Sequence, residues 1–311
     1  MKIDQKTTKD LTLRQYSYKV FFDIFLSSMS KELINQFQEK GFVTFPSVLE
    51  VSEIEYYSQV IKEAIKERKQ ADLRKLSDKS LYEQSFTQCQ NLWEDYLEVR
   101  KLTFHKKITK IAADLLGVKC LRLWHDQALV KESGARKTDV HHDKPYWPIR
   151  GNQTITAWIP LTKIDSTNGQ LGFYSGSHKY LEEEFVDIFS GEVSDEDIKN
   201  IMAIRGNKPE YQDLALGDVS FHHGLVFHEA KENRSTGDRL VHTAIFFADG
   251  AVRDTSKSHF SLDRPGIEVG EVIASDVTPI AFPIKKLPNQ PNTPIHESYK
   301  FFQELGLLPK N

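Results

Sequence analysis

Apolar residues follow two different periods along this chain, and the period changes near residue 120. From Ser52 to Gln70, Ile54, Tyr57, Val60, Ile61, Ala64 and Ile65 recur at helical spacing, which predicts an amphipathic helix capped by Ser52. Ser30 to Phe37, with Leu33, Ile34 and Phe37 on one face and Gly41 beyond its end, predicts a shorter helix. Phe42 to Phe45 reads as a strand stopped by Pro46, and residues 91–117 as two helices, the second running Ile108 to Leu116 and ending at Gly117. Past residue 120 the pattern alternates. Strands are predicted over Cys120–Val130, Thr154–Leu161, Leu214–His222 and Leu240–Phe247. Helices come first and a run of strands follows, without strand-helix-strand repeats, so an antiparallel sandwich or barrel is favoured over a parallel Rossmann-type sheet.

The 311 residues, 39% of them hydrophobic, suffice for one domain with a proper core. We expect residues 1–40 to form an arm and a helix, and 41–250 the body. An acidic insertion at 181–213, carrying Glu182–Glu184 and Asp195–Asp197, is read as a surface segment or a lid. The proline-rich segment 251–311, with an amphipathic turn at Tyr299–Leu308, is expected to wrap the sheet. Lys and Arg number 41 against 44 Asp and Glu, mixed in sequence, for a net charge of −3. That balance argues against a nucleic-acid or anionic-membrane surface and for a small-molecule partner. Cys89 and Cys120 have no CxxC spacing and read as structural thiols. The apolar run Val20–Leu26 is short and broken by Asp23, so neither a signal peptide nor a membrane span is expected, and a cytoplasmic location follows as the default.

Candidate chemistry centres on Val140-His141-His142-Asp143-Lys144-Pro145-Tyr146-Trp147. On a strand, His141 and Asp143 would face the same way, roughly 7 Å apart at Cα, and could share a metal. A third donor is sought in Gly217–Glu229, where His228 ends an apolar run; His222 and His223 are rivals. A hairpin through residues 233–238 would return Arg239 alongside His228. Two histidines and one carboxylate leave half of an octahedron open, which suits iron(II) that must take a co-substrate and then O2. An arginine fork suits the distant carboxylate of a 2-oxo acid.

Taken together, His141-x-Asp143, His228 and Arg239 resemble the phytanoyl-CoA dioxygenase family of iron(II)- and 2-oxoglutarate-dependent oxygenases. Supporting matches are Trp124-His125-Asp126-Gln127-Ala128-Leu129-Val130-Lys131, Tyr146-Trp147-Pro148, Thr156-Ala157-Trp158-Ile159-Pro160-Leu161, and Asn168-Gly169-Gln170-Leu171 leading to Gly176-Ser177-His178. The likeness spans about residues 40–250. It implies a mainly β protein, a double-stranded β-helix (jelly-roll, cupin-like) core with flanking N-terminal helices and iron at the open end. It further implies His141, Asp143 and His228 as iron ligands, Arg239 as the 2-oxoglutarate clamp, Gln127, Lys131 and Trp158 as co-substrate contacts, and Tyr146 and Trp147 at the substrate. Ala230 stands where family members often carry a serine assisting the co-substrate carboxylate; Thr156 is a candidate substitute. The intact Asp143 argues against halogenation, which needs that position vacated for chloride. His142, His125 and His242 are read as structural or supporting, and Gly176-Ser177-His178 as a turn shaping the pocket. The implied reaction couples oxidative decarboxylation of 2-oxoglutarate to oxidation of an unactivated C–H bond in secondary or lipid metabolism. Hydroxylation is the leading outcome, with desaturation, epimerisation and ring closure open to the same machinery. The alternatives are a jelly-roll protein that binds a small ligand without turnover and a zinc-dependent hydrolase or isomerase.

Overall fold

The computed structural model describes residues 31–70, 72–179 and 206–293, together with Glu196 and Asn200. Most of the acidic insertion and the turn expected at Tyr299–Leu308 therefore lie outside the described residues. Helix α1 occupies residues 31–40 and is closed by Gly41, whose φ of +85° is open to glycine at no steric cost. Strand β1 (Phe42–Phe45) follows, then helix α2 (Val51–Lys69). The cap of α2 is Glu50 rather than Ser52: its backbone N–H donates to the Glu53 side chain at 3.0 Å in a reciprocal capping box. Strand β2 (Thr87–Gln90) leads into three helices where two were expected, α3 (Leu92–Asp95), α4 (Leu97–Thr103) and α5 (Lys106–Leu116). The extended backbone of Tyr96 separates the first two.

The remaining elements are β3 (Leu121–Lys131), β4 (Thr138–His141), β5 (Thr154–Pro160), β6 (Leu171–Tyr174), β7 (Pro209–Tyr211), β8 (Val219–His223), β9 (His228–Ala230), β10 (Arg239–Ala248), α6 (Phe260–Asp263) and β11 (Ile280–Phe282). They form two antiparallel sheets. The larger has the order β1-β8-β5-β10-β3-β11 with β2 also on β3, and the smaller β4-β9-β6-β7. The strand expected from Leu214 begins only at Val219, because Leu214 instead bridges to Ile164. The expected jelly-roll is present, and the carboxy-terminal segment lends β11 to the edge of the larger sheet. No helix among the described residues is long and apolar enough to cross a membrane.

Alternation along the strands sorts side chains onto two faces. Ile155, Ala157, Ile159, Phe221, Ala244 and Phe246 face outward and bury against α2, α4 and α5 in one cluster. Trp158, Leu129 and Val241 face inward against Leu171, Phe173 and Ala230 of the smaller sheet. At one end of the barrel, Trp124, Trp147, Ile149, Phe247 and Leu262 fill the space between the sheets. A polar island lies under the outer helices: Asp126 accepts from Trp93 N at 3.0 Å and Thr103 Oγ1 at 2.7 Å, and Thr103 Oγ1 meets His242 Nε2 at 3.0 Å. Burial pushes Asp126 up to about 7 and His242 down to about 3.

Candidate metal centre

Strand β4 ends at His141, and Asp143 is not on the strand. It caps the short 3-10 turn Lys144–Tyr146 with φ −79° and ψ −32°, because Pro145 cannot continue a ladder. The carboxylate nevertheless returns to the strand end, with Oδ1 3.8 Å from His141 Nε2 and 3.9 Å from His228 Nε2. His228 opens β9, directly opposite His141 in the ladder, and the two ring centroids are 4.2 Å apart. One donor atom from each of the three residues lies within 4.8 Å of the others. Both imidazoles are aimed by their own backbones. His141 Nδ1 donates to Asp139 O at 2.7 Å and His228 Nδ1 to Val226 O at 3.0 Å. Each Nε2 therefore presents a lone pair, as a metal ligand must. Burial and then the neighbouring His141 hold His228 well below the usual imidazole range. Burial works to raise Asp143, but His228, His222 and His141 outweigh it and hold the carboxyl well below its ordinary value.

These donors line a cavity of about 120 Å³ between the sheets, far above the ~10–15 Å³ that admits one water. Its other end holds Arg239, the first residue of β10. Among the described residues no carboxylate pairs with this buried guanidinium. Nη1 donates to Gly169 O at 2.9 Å, Nε has no partner, and the group lies 5.4 Å from the Trp158 ring centroid. Burial pulls Arg239 down to about 9. A buried cation with spare donors facing three metal-type ligands fits a bidentate acid that bridges metal and arginine. The expected hairpin between His228 and Arg239 does not exist. β9 pairs with β4 and β6, whereas β10 pairs with β3 and β5, so the chain crosses between sheets and the two residues line the same cavity from different sheets.

Of the remaining expected residues, Gln127, Thr156, Trp158 and Tyr146 line the cavity. Gln127 Oε1 is taken by Gln88 Nε2, and Gln88 Oε1 accepts from Tyr82 Oη at 3.1 Å, which leaves the Gln127 amide N–H for the cavity. Thr156 Oγ1 donates to Asp143 Oδ2 at 3.4 Å, so it serves the carboxylate and not the Arg239 end. Lys131 and Trp147 do not join them. Lys131 lies beside Arg239 in the ladder, but its Nζ turns to Ser85 O at 2.8 Å and Arg136 O at 2.6 Å, and burial pulls it down to about 6. Trp147 leaves the 3-10 turn towards the end-filling cluster, packed near Trp124 and Ile149.

Sequence reasoning missed Tyr82, Phe86 and Gln88, which approach from a segment without a motif, and Thr138, the partner of Ala230 across β4 and β9. It also left His222 as a rival ligand. Alternation along β8, with Val219 and Phe221 outward, was the signal that turns His222 inward. His142 packs on Phe227, His125 on Phe260 and His242 under the helices. Ser177 Oγ accepts from Phe227 N at 2.9 Å, bracing the approach to His228.

The sequence model for phytanoyl-CoA dioxygenase (PhyH) matches residues 37–241, about two thirds of the chain. Peroxisomal phytanoyl-CoA dioxygenase of Bos taurus is 30% identical over 119 residues, 35% of this chain and 33% of the relative. The match thus spans a third of that relative's length. The carbocyclase SnoK from nogalamycin biosynthesis, described as non-heme and alpha-ketoglutarate-dependent, superposes with a TM-score of 0.69 at 24% identity, over 80% of this chain and 95% of its own. The epimerase SnoN in complex with Fe3+, alpha-ketoglutarate and nogalamycin RO gives 0.66 at 22%, over 82% and 99%. EctD from S. alaskensis with 2-oxoglutarate and 5-hydroxyectoine gives 0.57 at 14%, over 77% and 83%. At these identities the three structures share the fold.

Proposed function

Because the chain belongs to the phytanoyl-CoA dioxygenase family of iron(II)- and 2-oxoglutarate-dependent oxygenases, we propose that it oxidises a C–H bond of a small molecule, with His141, Asp143 and His228 holding iron(II) and Arg239 holding 2-oxoglutarate. The observation that carries this reading is the buried, carboxylate-free Arg239 in the same cavity as the three donors. When bound, iron(II) with 2-oxoglutarate and O2 would supply the oxidant, 2-oxoglutarate being consumed to succinate and carbon dioxide.

The protein's part is positional. The Nδ1 anchors on Asp139 O and Val226 O fix both ring orientations before any metal arrives. Arg239 would meet the far carboxylate of the co-substrate, with the Trp158 face beside the guanidinium and the Gln127 amide lining the same cavity. Tyr82, Phe86 and Tyr146 supply aromatic wall for an apolar portion of the substrate and displace water from it. Hydroxylation is the outcome we assign; a carbocyclase and an epimerase on the same fold make product analysis part of the test.

The experiment is succinate formation from 2-oxoglutarate with iron(II) and ascorbate, without added substrate. His141→Ala and Asp143→Ala should each abolish it together with iron retention after anaerobic loading. Wild-type rates in both variants would sink the assignment. With a substrate found by screening, hydroxylation requires the gain of one oxygen atom, whereas ring closure or desaturation requires the loss of two hydrogens.

A further inference from the structure

Three imidazoles surround Asp143, and they are not equivalent. His141 and His228 tie Nδ1 to a backbone carbonyl and turn Nε2 towards Oδ1. His222 is built the other way round. Its Nδ1 is buried without a partner, and its Nε2 lies 3.3 Å from the opposite carboxylate oxygen, Oδ2. A neutral imidazole carries one N–H, and only the nitrogen facing the carboxylate has an acceptor, so the proton belongs on Nε2. That nitrogen then has no lone pair to offer a metal.

We propose that His222 is a positioning residue for Asp143, donating Nε2–H to Oδ2 so that the carboxylate offers only Oδ1 to iron. This inference rests on Asp143 being a ligand, as argued above.

The register of the larger sheet supplies the geometry. Thr156 on β5 and His222 on β8 are directly paired, so their inward side chains stand side by side. Both reach Oδ2, at 3.4 Å and 3.3 Å, and no other strand pair does so among the described residues. The His222 ring is held against Phe173, at 5.4 Å between centroids, and is 2% exposed. Two donors on one oxygen oppose chelation by both. The consequence is chemical: a chelating carboxylate would take one of the positions that the 2-oxo acid and O2 need, whereas a one-oxygen ligand leaves half the octahedron open. Groups hydrogen-bonded to a ligand in this way typically change metal affinity 10–100-fold when removed.

The test compares His222→Phe, which keeps a flat ring without a donor, with His222→Gln, whose side-chain N–H reaches the place of Nε2. Each full-length variant is titrated anaerobically with iron(II), and the visible charge-transfer band of its iron(II)–2-oxoglutarate complex is recorded beside its melting temperature. We expect His222→Phe to weaken iron(II) binding about 10–100-fold and to shift or lose the band, with His222→Gln within a few-fold of wild type and the band restored. Unchanged affinity and band in His222→Phe would overturn the proposal. So would equal loss in both variants at wild-type melting temperature, since the ring itself would then be needed. Should His222→Phe not fold, His222→Asn, polar but too short to reach Oδ2, replaces it; wild-type affinity there overturns the proposal and a 10–100-fold loss supports it. Wild-type protein that binds no iron(II) would instead overturn the metal assignment itself.

Discussion

Arg239 is buried at 2% exposure beside Lys131 at the cavity wall, with one donor spent on Gly169 O and Nε without a partner. Burying a guanidinium without a counter-charge is unfavourable, and here burial lowers its proton affinity to about 9. The cost makes sense if a carboxylate arrives with the co-substrate. Arg239→Ala should therefore raise KM for 2-oxoglutarate steeply, since losing one side of a buried charge-assisted pair costs about 2–5 kcal/mol, roughly thirtyfold or more. Arg239→Lys should recover only part, because a point charge cannot make the paired contact. Unchanged KM in Arg239→Ala would identify another clamp. A neighbouring hydroxyl stands opposite the alanine at position 230. Thr138 faces Ala230 across the ladder and lines the cavity, and its oxygen accepts from Lys131 Nζ at 3.4 Å, which leaves its O–H to donate. Thr138→Val should raise the same KM by about 0.5–1.5 kcal/mol, and adding Ala230→Ser to it should return part of the loss. Equal KM values in wild type and Thr138→Val would remove threonine from the clamp.

At the level of elements, the turn before β6 holds the Arg239 guanidinium through Gly169 O. Gly169 has φ +90°, and a Cβ there would sit 2.5 Å from Lys131 Cδ and 3.3 Å from Lys231 O. Gly117, which ends α5 at φ +66°, has open space around the same position. Gly117→Ala should cost about 1 kcal/mol of stability and leave KM for 2-oxoglutarate alone. Gly169→Ala should cost more than that and raise KM as well, because the loop carbonyl that holds Arg239 must move. Equal KM for both variants would show that the loop does not position the arginine. The contrast between these turns also explains what the sequence could disclose. Helix α5 and its cap follow from local spacing, as do β3, β5 and β10, because period and turn residues are written within each element. The link from His228 to Arg239 looked like a hairpin because a short polar turn between strands usually is one. Which sheet a strand joins depends on partners far away in sequence, here β4 and β6 for β9. His141, Asp143, His228 and Arg239 were legible as a set, yet the role of His222 needed the register against Thr156, and Lys131 needed the carbonyls that draw its amine aside.

Across the whole molecule, imidazoles buried away from the candidate metal centre should set the response of the fold to acid. Burial pulls His125 and His223 down to about 4 and His242 to about 3, and holds His259 well below its ordinary value. In the unfolded chain each titrates near 6.5. Between about pH 4 and 6.5 the unfolded state thus binds protons that the folded state refuses, so these groups favour folding more as pH rises through that window. Two buried acids act in the opposite sense. Burial raises Asp126 to about 7, and raises Glu94 to about 6 against Arg264 Nη1, which donates to both of its oxygens at 2.8–2.9 Å, so the fold loses stability from both as pH climbs past 4. Four imidazoles outweigh two carboxyls, each unbalanced proton being worth about 1.4 kcal/mol per pH unit. The midpoint of urea denaturation should accordingly rise from pH 4.5 to pH 6.5. Asp126→Asn can still accept from Trp93 N and Thr103 but no longer titrates, so it should steepen the rise. A midpoint that stays level or falls over this range in the wild type would mean that the buried imidazoles accept protons in the folded state, and that the polar island beneath the helices opens to water before the protein unfolds.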